Sequence, residues 1–277
     1  MTTGELNGLG RFVRAAGFGR VYYQLFTRPK NALKAYRLSR EPLRVPLFGY
    51  TFFAPSPKSN PLSACVAQSG LWEPNVTQAL RRELKPGQCL VDVGADIGYY
   101  VLLASQLNNG APVLAFEPNS MNREYLERNI SENQLSAVRL ITAGLGNLAG
   151  ELFLRTETAR IDTSADEGTV GERVPIYRFD DLTPELLGGQ IPKVDFVLID
   201  VEGAELEVLK GMEITLRRDR PKLIVEVHGP FLPEFGTTKS EVLDWIRGIG
   251  YNIHWLLGDP ITQGGYTNVL ALPTDAP

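Results

Sequence analysis

The stretch that most constrains the fold is Leu90-Val91-Asp92-Val93-Gly94-Ala95-Asp96-Ile97-Gly98. Val91 and Val93 are β-branched and apolar, which suits a central parallel strand buried on both faces. Gly94 and Gly98 permit a sharp turn and the close approach of a ligand. A strand, a glycine turn and a helix start together form a nucleotide site in open α/β sheets. The charge of this turn narrows the choice, because Asp92 and Asp96 flank its first glycine. They repel a pyrophosphate and attract an ammonium or sulfonium. That favours S-adenosylmethionine over NAD or ATP; the alternative is a tight βα turn with no ligand.

Three further strand ends add acidic or flexible residues. Pro112–Phe116 reads as a strand closed by Glu117-Pro118, with Glu117 lying 19 residues past Gly98. An acidic residue at that distance accepts hydrogen bonds from ribose hydroxyls. Val138–Thr142 reads as a third strand, and the following Ala143 and Gly144 are candidates for backbone contacts at the adenine edge. Phe196–Ile199 is continuously apolar and ends in Asp200 and Glu202. Carboxylates at the end of a buried strand are costly unless paired or functional. Lys222–Gly229 repeats the pattern, and alternation places Glu226 and His228 on one side.

Composition excludes some classes. The chain is 43% hydrophobic and 22% charged, that of an ordinary globular protein, and its net charge of −4 argues against nucleic-acid binding. Residues 1–44 nevertheless carry +7, leaving −11 on the remainder. Basic residues there alternate with Phe12, Val13, Tyr22, Tyr23 and Phe26, suiting one or two amphipathic helices over residues 9–40. Such helices either pack on the domain or touch an anionic membrane peripherally. Cys65 and Cys89 match no disulfide or metal spacing, and no apolar run is long enough to span a bilayer. A cytoplasmic protein is expected; nothing bears on its oligomeric state.

The expected organisation is an N-terminal extension over residues 1–62, with a short hairpin bending at Gly49, followed by one α/β domain over residues 63–277. A helix is expected from Asn75 to Leu84, a polar lid or disordered loop over residues 155–173, and a short helix near Pro184–Leu187. Glu73 reads as a helix-start carboxylate, with the ligand mouth as its alternative place. The strands at Tyr251–Leu257 and Thr267–Leu272 are expected to pair antiparallel at the sheet edge.

Leu71-Trp72-Glu73-Pro74, Val91–Tyr100, Ala115–Pro118, Ile199-Asp200-Val201-Glu202-Gly203-Ala204-Glu205 and the Glu226–His228 strand together resemble the FkbM-type methyltransferases. These are a branch of the class I S-adenosylmethionine-dependent enzymes, and the resemblance covers roughly residues 65–230. It implies a Rossmann-like, mostly parallel sheet with an antiparallel edge strand and helices on both faces. It also implies methyl transfer to a hydroxyl of a sugar, glycolipid or secondary metabolite. Two positions depart from the family pattern. Asp96 replaces a common Asn and adds negative charge beside the cofactor, and Leu198 replaces a common Lys and removes a partner for Asp200.

On this reading the cofactor is held by Asp92, Gly94, Ala95, Asp96, Gly98, Tyr99, Glu117, Pro118, Ala143, Gly144, Asp200 and Glu202. Asp200, Glu226 and His228 form the catalytic set. His228 is the first candidate base because an unperturbed imidazole titrates near neutrality, with Asp200 and Glu226 as alternatives. The three also have the chemistry to hold a divalent cation against substrate oxygens. Rival functions are a non-catalytic S-adenosylmethionine-binding or scaffold module and a nucleotide-dependent oxidoreductase. The latter is disfavoured by Gly-x-x-x-Gly in place of Gly-x-Gly-x-x-Gly.

Overall fold

The chain enters through the expected hairpin, with Leu43–Leu47 (β1) paired antiparallel to Tyr50–Ala54 (β2) across Phe48 and Gly49. The computed structural model describes residues 42–155, 160–162, 171–187, 189–190, 192–256 and 265–274. The helices expected over residues 9–40, and most of the polar loop over 155–173, lie outside the described residues. Two helices follow the hairpin, Pro61–Ser69 (α1) and Pro74–Glu83 (α2). The first was not expected from the sequence, although Asn60 caps it through the Ser63 N–H and left-handed Gly70 closes it.

The centre is built from Leu90–Val93 (β3), Val113–Phe116 (β4) and Val138–Ile141 (β5), linked by helices Tyr99–Leu107 (α3) and Ser120–Glu132 (α4). A side excursion follows. Gly144–Leu145 (β6), Gly150–Arg155 (β7), Arg160–Asp162 (β8) and Glu172–Tyr177 (β9) form their own four-stranded sheet. The chain then returns as Phe196–Ile199 (β10), helices Glu205–Gly211 (α5) and Glu213–Asp219 (α6), and Lys222–His228 (β11). Lys239–Gly248 (α7), Tyr251–Trp255 (β12) and Tyr266–Pro273 (β13) complete the described elements. The helix expected at Pro184–Leu187 is a single turn, with the Leu187 N–H on the Thr183 carbonyl at 3.2 Å.

The main sheet runs β12-β13-β11-β10-β3-β4-β5, parallel throughout except for β13. The last two strands do pair antiparallel, but β13 inserts between β11 and β12, so the antiparallel strand lies one place in from the edge. Alternation along each strand separates two cores. Val91, Val93, Val197, Ile199 and Val225 pack with α5, α6 and α7. Leu90, Ala115, Leu198, Ile224 and Leu270 pack with α1, α2, α3 and α4. Helices therefore cover both faces, as expected. The hairpin is part of the second core. Asn129 accepts from the Phe53 N–H at 2.7 Å and donates to the Phe53 and Ile97 carbonyls, both at 2.8 Å. Asn133 brackets Thr51 in the same way. A division at residue 62 therefore cuts through a packed unit, because residues 43–54 are held to the domain by buried amide pairs.

Candidate active site

Sheet order reverses at β3, which has β4 on one side and β10 on the other. Open α/β sheets bind ligands outside the carboxyl ends of the strands at such a point. The register aligns Phe116, Val93, Ile199 and Val225 in one row, so Glu117, Gly94, Asp200 and Glu226 form the next row at the crevice. By alternation Asp92, Glu117, Asp200, Glu226 and Asn268 belong to the face covered by α1 to α4.

At the β3–β4 end, backbone groups organise the acids. Glu117 is 4% exposed; its Oε2 accepts from the Asp96 N–H and its Oε1 from the Asn119 N–H, both at 2.8 Å. Burial and then the Asp96 charge push its carboxyl up to about 8. Asp96 is left-handed at φ 48°, and burial raises its carboxyl to about 6 despite a hydrogen bond from the Ile97 N–H. Asp92 is wholly buried and neither oxygen has a hydrogen-bond partner. Burial first, and Asp96 second, push it up to about 7. A fully buried carboxylate without a donor requires a reason, and a cationic ligand beside it supplies one.

The glycines of the turn have a different reason from the expected one. Gly94 has φ +87°, and a Cβ there would lie 1.9 Å from the Asp200 carbonyl oxygen. A Cβ on Gly98 would lie 2.7 Å from Leu126 Cδ1. Close packing of strand on strand and helix on helix demands both, independently of any ligand. Tyr99 is corrected. It is 1% exposed, donates or accepts at Thr77 Oγ1 (3.1 Å), accepts from the Trp72 N–H (3.0 Å), and packs edge-on against Phe48, Phe52 and Tyr100. It is a core residue, not a wall of the crevice. Ala143 is likewise fully buried in the core, while Ala95 is buried and Pro118 and Gly144 are half-buried beside each other.

At the β10–β11 end, side chains organise one another. His228 Nδ1 meets Glu205 Oε1 at 2.6 Å, and Nε2 faces Asp200 Oδ1 at 3.5 Å. Glu205 Oε1 also accepts from the backbone N–H groups of Gly203 (2.9 Å) and His228 (3.3 Å). Burial lowers the imidazole's proton affinity, but the Glu205 hydrogen bond and the charges of Glu226, Asp200 and Glu205 override it and push His228 up to about 10. The expectation of a base titrating near neutrality is thereby overturned for the free protein: the surrounding acids keep the ring charged. Asp200 is raised well above the usual carboxylate range by burial and by Glu226. Glu202 sits on the turn above, left-handed at φ 51°.

Two residues outside the expected set belong here. Glu205 is fully buried and holds the imidazole. Glu73, expected as a helix cap, makes no side-chain cap hydrogen bond. It turns inward, accepting from the Tyr100 hydroxyl at 3.0 Å and from Asn268 Nδ2 at 3.2 Å. Its charge reaches Asp200. Both lie inside stretches that carry the family resemblance, which is the signal by which they were open to notice.

The model of the Methyltransferase FkbM domain matches residues 92–253. The hexuronic acid methyltransferase AglP of Haloferax volcanii is 31% identical over 163 residues, 58% of this chain and 65% of that protein. Methyltransferase sdnD of Sordaria araneosa is 32% identical over 155 residues, 45% of this chain and 60% of that protein. The matches thus span about six-tenths of the length of these relatives. A solved FkbM methyltransferase from Methylobacillus flagellatus KT aligns over 95% of this chain and 60% of its own, at 15% identity and TM-score 0.47. With more than half of its length, including the crevice residues from Asp92 to His228, inside the matched segment, the chain belongs to the FkbM methyltransferase family.

Proposed function

We propose that this protein transfers a methyl group from S-adenosylmethionine to a hydroxyl of a sugar, glycolipid or secondary metabolite. The observation that carries the cofactor assignment is Asp92, wholly buried and without a hydrogen-bond partner beside Asp96 in the glycine turn. The bound cofactor supplies a methyl already activated by its sulfonium. The remaining tasks fall to this chain's residues: positioning the acceptor and removing its proton. Asp92 and Asp96 face the cationic part of the donor, and a positive group there favours their ionised forms. Glu117 has lone pairs beyond its two backbone donors for a ribose hydroxyl. Pro118 and Gly144 border the adenine edge, and Glu202 closes the turn.

At the other end Asp200 takes the acceptor's proton. It keeps 31% of its side-chain surface open, against 6% for His228. Glu226 and His228 hold Asp200 and orient the acceptor hydroxyl. A sugar acceptor is supported by the named substrate of the archaeal relative. Buried, unbridged Cys65 and Cys89 support a cytoplasmic location. No helix among the described residues is long and apolar enough to cross a membrane; the +7 charge of residues 1–44 supports a peripheral contact with an anionic membrane. Calorimetric titration with S-adenosylhomocysteine tests the reading. One-to-one binding that is lost in Asp92→Asn supports it, and no binding of either S-adenosylmethionine or S-adenosylhomocysteine refutes it.

A further inference from the structure

We propose that Asp200, Glu226 and His228 form a site for one divalent cation at the acceptor end of the crevice. One donor atom from each lies within 4.8 Å of the others. Neighbouring ligands bonded at roughly 2.0–2.3 Å to a shared ion stand about 2.8–3.8 Å apart, so side-chain adjustments of about 1 Å or less would close the three donors on one ion. The backbone prepares the arrangement. Ile199 pairs with Val225, so Asp200 and Glu226 leave neighbouring strands at the same level. His228 follows two residues on, on the same face as Glu226.

Two observations beyond the cluster point to an ion. First, His228 is oriented as a ligand. Its Nδ1 is committed to fully buried Glu205 at 2.6 Å, and its ring is packed by Phe231 and Tyr266 at 6.1 and 5.3 Å between centroids. A metal-bound imidazole characteristically gives its other nitrogen to a carboxylate in this way. Nε2 is left facing Asp200 Oδ1 at 3.5 Å, at the limit for a hydrogen bond but suited to two ligands sharing an ion. Second, buried oxygens flank the cluster without donors. Asn268, directly across the register from Glu226, is 2% exposed and its Oδ1 has no hydrogen-bond partner; neither has Glu205 Oε2. An ion or its bound water accounts for such oxygens.

Two carboxylates and one imidazole suit a first-row cation such as Mn2+, with coordination positions left for substrate oxygens. The cation would take the place of the proton that the cluster otherwise holds. Its catalytic use rests on the methyl-transfer reading: a hydroxyl coordinated there ionises more readily and is held in line with the donor. The site itself is testable without that reading.

The test is titration of chelator-stripped protein with MnCl2 alone, following loss of the free-ion electron paramagnetic resonance signal. The expected result is one Mn2+ per chain, weakened roughly tenfold or more by Glu226→Gln and by Asp200→Asn. Asp244→Asn, an exposed acidic position on α7, should leave it unchanged. Absence of binding into the millimolar range overturns the proposal, as does binding that both cluster variants leave intact. Circular dichroism checks folding, and Glu226→Gln decides if Asp200→Asn unfolds. The same stripped sample is titrated with S-adenosylhomocysteine. If S-adenosylhomocysteine binds and Mn2+ does not, the cation site alone fails; if Mn2+ binds and S-adenosylhomocysteine does not, the methyl-transfer reading alone fails.

Discussion

At the β3–β4 end of the crevice Glu117 is fixed by two backbone N–H groups of its own loops, whereas at the β10–β11 end His228 is fixed by the Glu205 side chain, with Asp200 and Glu226 gathered beside it. Backbone donors come from residues within about twenty positions in sequence, so the first end is set once the turn folds. The second end depends on two strands, a helix start and the register between them. A binding half that must grip the same cofactor each time gains from backbone rigidity. An acceptor half built from side chains can change ligands with few substitutions. The two meet at Gly94, where the turn passes beneath the Asp200 carbonyl.

The most damaging way to break the comparison is therefore at that joint. Gly94→Ala places a methyl 1.9 Å from the Asp200 carbonyl oxygen on a backbone at φ +87°. Left-handed backbone costs about 1–2 kcal/mol and overpacking about 1–3 kcal/mol more. A loss of about 3 kcal/mol in denaturant unfolding is expected, together with loss of S-adenosylhomocysteine binding. Unchanged stability would show that the strands separate easily and that the two halves are not mechanically joined.

Charge separates the halves next. Asp92 holds its proton up to about 7 in the folded protein, against 3.8 ordinarily, so between those values the folded state binds a proton that the unfolded chain has released. Its contribution is greatest below about pH 4 and is lost as pH rises through 7. Glu117, raised from 4.5 to about 8, acts in the same direction over a slightly higher window. Ligand-free Asp92→Asn should be more stable than the parent by about 2 kcal/mol near pH 8, with the difference vanishing near pH 4. It should bind the cofactor worse at both. A variant that is less stable at pH 8 would mean that Asp92 has a partner in the free protein.

How much of this was legible in the sequence follows the same division. The turn, Glu117 and the acidic strand ends could be read because a strand, a glycine and an acid at fixed spacing are local. The reason for Gly94 could not be read, since the clashing atom belongs to residue 200. Tyr99 looked like a crevice residue from its position after Gly98, but it points into the hairpin, whose packing on the domain is set by Asn129 and Asn133. The caps of α1, Asn60 and Gly70, are local signals that stand in the letters themselves. The insertion of β13 between β11 and β12 leaves no local trace, because strand order is decided by long-range pairing. His228 and Glu226 fall on one side by alternation alone, but Glu205, whose hydrogen bond raises the imidazole, comes from the start of α5, ahead of β11 in the chain.

The smallest expected effect is the sharpest comparison of the two ends, because the same chemical change is made at each. Glu117→Gln retains one carbonyl oxygen where two carboxylate oxygens each accepted a backbone N–H. Its amide NH2 must then face either the Asp96 or the Asn119 N–H. Leaving one buried donor unmet costs about 1–2 kcal/mol, a loss that removal of the raised carboxyl offsets increasingly as pH rises from about 4.5 to about 8. Glu226→Gln removes a charge that opposes ionisation of Asp200 and favours the charged imidazole of His228, so its effects oppose one another and a smaller net change, about 0.5 kcal/mol, is expected. Thermal unfolding of both variants near pH 4.5, without ligand, where that offset is smallest, measures the contrast. Equal destabilisation would show that the acceptor end is as rigidly built as the cofactor end. A larger loss in Glu117→Gln would show that backbone donors hold one end of the crevice more firmly than side chains hold the other.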